Sequence, residues 1–182
     1  MRDDTRREVG SGVATGTAAY VLGYLVTYLL TAEPLRRSIA QRLVQFLTGE
    51  PATWKMVGWA FYNAHFVRTY VPGPFGRNTV NLVAQSSDLT PALYALPVIL
   101  LVVAGGLAAE LGDAEEAAAG AKAGASVTLA YLPLAVVGAF LFRISLGDAT
   151  AGPVLVTAAL LAGLVYPVVC GTLGGWGRVQ LR

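Results

Sequence analysis

The chain has 182 residues, of which 55% are hydrophobic and 13% are charged, and its formal net charge is +2. This composition lies outside the range of soluble domains and is typical of integral membrane proteins. The 13 Lys and Arg residues are scattered along the sequence and do not form the basic face that nucleic-acid binding requires, so we expect no nucleic-acid partner.

Four apolar segments predict four membrane-spanning helices, because about 20 apolar residues cross a hydrocarbon core of about 30 Å. The segments are residues 13–31, 89–109, 123–142 and 151–173. The first follows a basic head and is longer than the apolar part of a signal peptide, so we expect a retained anchor. The sequence therefore predicts a single membrane domain over residues 1–182, with an all-α four-helix bundle as its fold.

The first predicted span carries two stripes at helical spacing. Small residues that let another helix approach closely form the first stripe, which predicts helix packing at Gly12, Gly16, Ala19 and Gly23. Tyr20 and Tyr24 lie on an adjoining face, and a phenol buried in hydrocarbon needs a hydrogen-bond partner. Two interpretations stay open for these tyrosines, namely bonding between helices with interface anchoring, or a polar path for a substrate.

Residues 33–88 form an insert between the first and second spans, and we predict that it is helical and amphipathic. From Pro34 to Thr48 the apolar residues recur at helical spacing, with Pro34 suited to the first helical position and Gly49 to the stop. We expect this helix to lie in the membrane interface.

The second half of the insert, Trp54 to Tyr70, is aromatic and predicts a further helix. Its uncharged run of about 12 residues covers about 18 Å, which is too short for a full crossing. Interfacial and re-entrant placements both stay open. The Pro- and Gly-rich run from Val71 to Gly76 is expected to end this helix.

The most informative string of the chain lies in this segment and runs from Phe61 to Val67 (FYNAHFV). His65 is the chain's one histidine and has no Cys or carboxylate close in sequence, so we expect neither a metal site nor a cofactor. A hydrogen-bonded packing role and a role as pH sensor or ligand contact stay open for it. The candidate binding or docking residues are Phe61, Tyr62, Asn63, His65, Arg68, Tyr20 and Tyr24.

The same string, placed after an arginine-rich amphipathic segment and before three hydrophobic spans, resembles an uncharacterised family of small haloarchaeal membrane proteins, some of them labelled transporters. The resemblance covers the layout of the whole chain, and the string is its specific part. It implies a plasma-membrane location and an archaeal source, and it transfers no catalytic residue.

Two functions fit these observations. The first is a small multi-span membrane protein acting as a transporter or channel-like component, for which a pore lined by Tyr20, Tyr24 and Thr27 would be evidence. The alternative is a non-catalytic accessory or scaffold subunit that docks a partner through its aromatic insert. The sequence contains no P-loop, Gly-x-Ser-x-Gly or His-Glu-x-x-His motif, so the readily recognised ATPase, hydrolase and metalloprotease classes are not expected. A membrane enzyme with a weaker signature stays open as a third interpretation.

The predicted environment is the lipid bilayer of the cell membrane. Four glycine-rich helices make a thin bundle, so we expect a homo-oligomer or a partner membrane protein. Basic residues are nearly balanced between the two sides, but the short arginine-rich head before the first span favours cytoplasmic termini.

Overall fold

A long helix begins the chain in the computed structural model, which describes residues 2–49, 51–73 and 76–181. The described helices are α1 (Arg2–Arg37), α2 (Ile39–Thr48), α3 (Thr53–Ala64), α4 (Leu82–Gln85), a 3-10 turn (Pro91–Tyr94), α5 (Ala95–Leu111), α6 (Ala117–Ala125), α7 (Thr128–Leu141), α8 (Leu155–Thr157), a π-helix (Ala158–Val165) and α9 (Tyr166–Gln180). The described strands are β1 (Thr69–Gly73), β2 (Gly76–Val80), β3 (Ile144–Leu146) and β4 (Ala149–Pro153).

Four helical segments of the described chain are long and apolar enough to cross a membrane: Val9–Arg37, Pro91–Leu111, Ala117–Leu141 and Leu155–Gln180. Each overlaps one of the four predicted spans, so their number is confirmed by length and composition. The first span is longer than predicted at both ends, since it runs from Val9 and α1 continues through Pro34 to Arg37. The second has the predicted length but lies two residues further along the chain, with the 3-10 turn joined to α5.

The chain is mostly helical, as predicted, but a small antiparallel sheet shows that it is not all-α. Its strand order is β2-β1-β4-β3, and β1 joins the insert to the link between the third and fourth spans. The register pairs Thr69 with Val80 on one side and with Pro153 on the other. Pro72 lies beyond the β1–β4 pairing, so its missing N–H does not interrupt the ladder there. The link between the third and fourth spans is therefore the β3–β4 hairpin, which turns at Gly147 with φ of 63°.

The insert also differs from the predicted pair of helices. Ser38 separates α1 from α2 and caps α2 by accepting a hydrogen bond from the Gln41 N–H at 3.1 Å, so Pro34 lies inside α1 and not at a helix start. The predicted stop at Gly49 is confirmed, because Gly49 has φ of 75° and donates to the Gln45 carbonyl. The predicted helix up to Tyr70 is wrong beyond Ala64, where the chain turns into β1; of the predicted terminating run, Pro74 and Phe75 lie outside the described residues.

The bundle has two different ends. At one end Arg7 contacts Asp113 at 3.4 Å and Arg178 contacts Glu110 at 2.5 Å, which brings together the start of α1, the α5–α6 link and the end of α9. At the other end Tyr24 stacks on Phe142, with ring centroids 5.3 Å apart, close to the insert and the sheet. We call these the terminal end and the insert end.

Glycines bring α9 into backbone contact with α5 and α6. A Cβ atom added at Gly171 would clash with the Gly124 carbonyl, and one added at Gly174 would clash with the Val102 carbonyl. Gly175 approaches the Gly120 carbonyl in the same way. Close helix approach of this kind needs small residues, because a larger side chain would separate the backbones.

Candidate functional site

Most of helix α3 is buried against other helices of the protein. Of its twelve residues, Thr53 and the run from Met56 to Ala64 are buried. It packs mainly on α1, and Trp59 reaches the end of α7 by donating from Nε1 to the Phe142 carbonyl at 2.7 Å. This burial is expected, because a helix with apolar or aromatic residues on nearly every side must be shielded from water all round.

A chain of hydroxyl groups links α1, α3 and α7. The Tyr62 hydroxyl donates to the Ala135 carbonyl, and the Tyr20 and Tyr62 hydroxyl oxygens are 3.1 Å apart. Because Tyr62 has a single hydroxyl proton, Tyr20 is the donor between the two tyrosines. Gly138 makes room for both hydroxyls, since an added Cβ would clash with Tyr20 Oη. Each of these buried phenols therefore has a partner.

His65 lies at the end of α3 and is completely buried. Its Nδ1 is 2.9 Å from the Phe61 carbonyl oxygen, and its Nε2 is 2.9 Å from the Tyr131 hydroxyl. Because a carbonyl oxygen can only accept, Nδ1 carries the proton and Nε2 accepts from Tyr131. Burial lowers the pKa of His65 to about 4, with the Phe61 carbonyl opposing part of that shift. The ring is therefore neutral at pH 7, and both of its nitrogens have partners.

Asn63 fixes the turn that follows α3. Its Nδ2 donates to the Val67 carbonyl at 2.7 Å and to Thr69 Oγ1 at 3.2 Å, and its Oδ1 accepts from the Leu82 N–H at 2.7 Å. A single side chain thus joins α3 to the start of β1 and to α4.

The turn brings one aromatic ring of the string to the surface. Phe66 adopts the left-handed conformation with φ of 59°, and its side chain is 57% exposed. Its ring stacks on Tyr94, with centroids 4.6 Å apart and an interplanar angle of 13°. Arg68 is exposed nearby in sequence and is not brought into the buried cluster.

The structure thus divides the predicted site residues into two groups. The buried cluster contains Phe61, Tyr62, His65 and Tyr20, while Tyr24 lies at its edge and donates to the Trp54 carbonyl at 3.1 Å. The hydroxyl of Thr27, the third predicted pore residue, bonds to the Gly23 carbonyl at 2.7 Å. Binding or docking roles for these residues stay predictions.

Sequence reasoning missed several members of the cluster. Tyr131 bonds to His65, the Tyr166 ring lies 5.1 Å from the His65 ring, and Phe142 stacks on Tyr24. The available signal was the tyrosine hydroxyls in otherwise apolar spans, since each must find a partner when buried. Among the described residues no group of three or more His, Cys, Asp or Glu side chains lies together.

The small-residue stripe of α1 faces other parts of the chain. A Cβ added at Gly12 would clash with Ser126, and one added at Gly16 would clash with the Val127 carbonyl. Ala19 is buried, and a Cβ at Gly23 would lie 2.9 Å from the Phe61 ring. The stripe therefore contacts the α6–α7 junction at its start and the buried cluster at its end.

Replacement of Gly16 by leucine is expected to lower the free energy of unfolding by about 2 kcal/mol, because the side chain would overpack the contact with Val127. Thermal melting of the purified protein in detergent measures this loss. Val21→Leu is the control, since Val21 lies on the same helix and is 45% exposed. Equal melting temperatures for the two variants would contradict close packing of the stripe.

These features define a mostly helical chain with four candidate membrane spans, whose insert end holds a small sheet and a buried aromatic helix. The sequence matches the family described as "Family of unknown function (DUF7978)" over residues 1–181, and the chain belongs to this family. Comparisons with curated proteins and with solved structures found no match. The match agrees with the expected uncharacterised family, while a haloarchaeal origin stays a prediction.

Proposed function

We propose that this protein is a non-catalytic accessory or scaffold subunit of a membrane assembly, embedded by four spans in the cell membrane. The observation that carries the proposal is the stack of the exposed Phe66 ring on the partly buried Tyr94 ring, held at the insert end by a left-handed turn. Left-handed backbone at a non-glycine residue costs of order 1 kcal/mol and often occurs at functional sites. An exposed aromatic ring held against a second ring in this way suits recognition of an apolar partner surface.

The surroundings of the stack also support docking. Asn63 anchors the turn from inside, and the Tyr94 hydroxyl donates to Asn81 Oδ1 at 3.2 Å at the start of α4. On α4 a groove with a volume of about 340 Å³ opens between Leu82 and the α1–α2 junction, where Leu35 and Ser38 line it. A partner helix or loop that binds the stack could also place a side chain in this groove beside α4.

Partner retention tests the proposal. The protein is purified from native membranes after gentle detergent extraction, and Phe66→Ala is expected to lose a stoichiometric partner while it keeps its melting temperature within a few degrees. Leu129→Ala is the matched control, because Leu129 is 54% exposed on α7 away from the stack, and it should retain the partner. Retention by Phe66→Ala, or absence of a stoichiometric partner from the unmodified protein, would overturn the docking role.

A transport or channel-like role is the second candidate, and one observation favours it. The fourth candidate span contains the π-helix Ala158–Val165, directly before Tyr166, whose ring contacts His65. Such wide turns are frequent at functional sites. Reconstitution of the purified protein into planar bilayers in potassium chloride tests this role, and a protein-dependent conductance altered by Tyr166→Ala would favour it over docking.

For the orientation, we expect both termini in the cytoplasm and the insert end outside. In a Cys170→Ala background, Ser87→Cys should react with an impermeant thiol reagent in intact cells, because Ser87 is exposed at the insert end. Gln180→Cys should react only after the cells are lysed, because it lies at the terminal end. The opposite labelling pattern would reverse the orientation.

A further inference from the structure

Helix α2 carries its apolar side chains on the outside of the protein. Ile39 is 83% exposed, Leu43 56% and Phe46 85%. Their spacing of four and three residues places them on one helix face, which we call the α2 apolar face. Among the side chains of α2 that the structure describes, those buried against the rest of the chain are Gln41, which is 3% exposed, and Val44. A surface helix in water has the reverse arrangement, with its apolar stripe against the core.

The α2 apolar face follows directly on the apolar surface of the first candidate span. Leu29 and Leu30 are 82% and 53% exposed on α1, where only lipid or a partner could cover them. Arg36 and Arg37 end α1, and α2 begins two residues later. A basic pair after an apolar run marks the level at which a span leaves the hydrocarbon for the headgroups. Helix α2 therefore begins at the headgroup level.

The charges around α2 are basic. Residues 33–48 contain three arginines and one acidic residue, which gives this segment a net charge of +2. Glu33 is shared between Arg37, at 2.7 Å, and Arg36, at 3.9 Å. Arg42 is exposed beside Leu43, at the edge of the α2 apolar face. Arginines at the edge of an amphipathic helix attract the phosphates of anionic lipids.

We propose that α2 is a binding surface for anionic phospholipid, with Ile39, Leu43 and Phe46 among the upper acyl chains. Arg37 and Arg42 contact the lipid phosphates at the rim of this surface. The occupant is the bilayer itself, because the α2 apolar face continues the lipid-facing surface of α1 and has a basic edge that complements anionic headgroups. This inference is independent of the docking role proposed for Phe66 and Tyr94.

Depth of insertion tests the apolar half of the proposal. In the full chain carrying Cys170→Ala, Phe46→Cys and Gln45→Cys are labelled singly with an environment-sensitive fluorophore and reconstituted into phosphatidylglycerol–phosphatidylcholine vesicles. Both positions are exposed and adjacent, but Gln45 lies off the α2 apolar face. Doxyl-labelled lipid is expected to quench the label at position 46 several-fold more than that at position 45, and iodide should show the opposite order.

Two results would overturn the insertion of α2 into lipid. Equal quenching by iodide at both positions would place the α2 apolar face in water. Protection of position 46 from both quenchers, together with disulfide-linked dimers of Phe46→Cys, would show that a second copy covers the face.

Lipid selectivity tests the charged half. Spin-labelled phosphatidylglycerol is expected to associate with the unmodified protein more than spin-labelled phosphatidylcholine does, and the Arg37→Gln/Arg42→Gln variant should lose most of that preference. Both arginines are exposed, so the core packing stays intact. Lys122→Gln removes an exposed cation on α6, outside the α2 segment, and should keep the preference. Unchanged selectivity in the double variant, or an equal loss in the control, would overturn the phosphate contacts.

Discussion

Replacing Gly171 by leucine is expected to detach α9 from its neighbours and to lower the free energy of unfolding by more than about 3 kcal/mol. Two helices meet α9 at this residue. The Gly171 backbone lies within clashing distance of a Cβ added at Gly105 on α5 or at Gly124 on α6. A side chain at Gly171 would itself meet the Gly124 carbonyl, so no rotamer of leucine avoids the contact. The helices must separate, and the contacts along α9 are lost together.

The measurement is the melting temperature and the monodispersity of the purified protein in detergent. Gly177→Leu is the matched control, because the same change on the same helix adds a Cβ that meets nothing within 4 Å. The control should be neutral or slightly more stable, since leucine favours a helix over glycine by close to 1 kcal/mol. A Gly171→Leu protein as stable as the control would show that α9 packs less closely than the structure describes.

The spans were predictable because they depend on composition alone. Runs of about 20 apolar residues identify crossing helices without knowledge of their neighbours. The glycine contacts between α6 and α9 were equally open to prediction, since Gly120 and Gly124 are four residues apart, as are Gly171 and Gly175. That spacing indicates close helix approach in the same way as the stripe of the first span does.

The sheet was not predictable from local sequence. β4 is Ala-Thr-Ala-Gly-Pro, a segment with little intrinsic strand preference, and β3 has three residues. β4 is held between β3 and β1, and β1 comes from about 80 residues away in sequence, with Tyr70 opposite Gly152. A pairing that distant leaves no signal in the pattern of either segment.

The buried cluster was only partly predictable from the sequence. The string from Phe61 to Val67 was identifiable as unusual, but a short aromatic helix suits either a membrane interface or a protein core. Its partners decide between them, and they lie 42 residues before Tyr62, at Tyr20, and 66 residues after His65, at Tyr131. The sequence therefore identified the string as unusual but did not indicate that it lies in the protein core.

Stability is expected to fall as the pH is lowered from about 6.5 to about 4, because His65 must be neutral in the folded chain. Burial lowers the pKa of His65 from 6.5 to about 4, so the unfolded chain binds a proton at a higher pH than the folded chain does. The contribution of neutral His65 to the free energy of unfolding is fully present above pH 6.5. It is lost as the pH falls toward 4, a change of about 3 kcal/mol. Protonation would place a donor on Nε2 and force the Tyr131 hydroxyl to turn its own proton away.

Melting temperatures in detergent between pH 7.5 and pH 4.5 measure this effect, and His65→Gln separates it from the titration of all other groups. The variant should be less stable at pH 7.5, because glutamine cannot meet both the Phe61 carbonyl and the Tyr131 hydroxyl in the geometry of the ring. Its melting temperature should then change less with pH, so that the two proteins converge as the medium is acidified. If the melting temperatures of the two proteins change in parallel with pH, the pKa of His65 is the same in the folded and the unfolded chain. The assignment of a neutral ring with a hydrogen bond at each nitrogen would then be wrong.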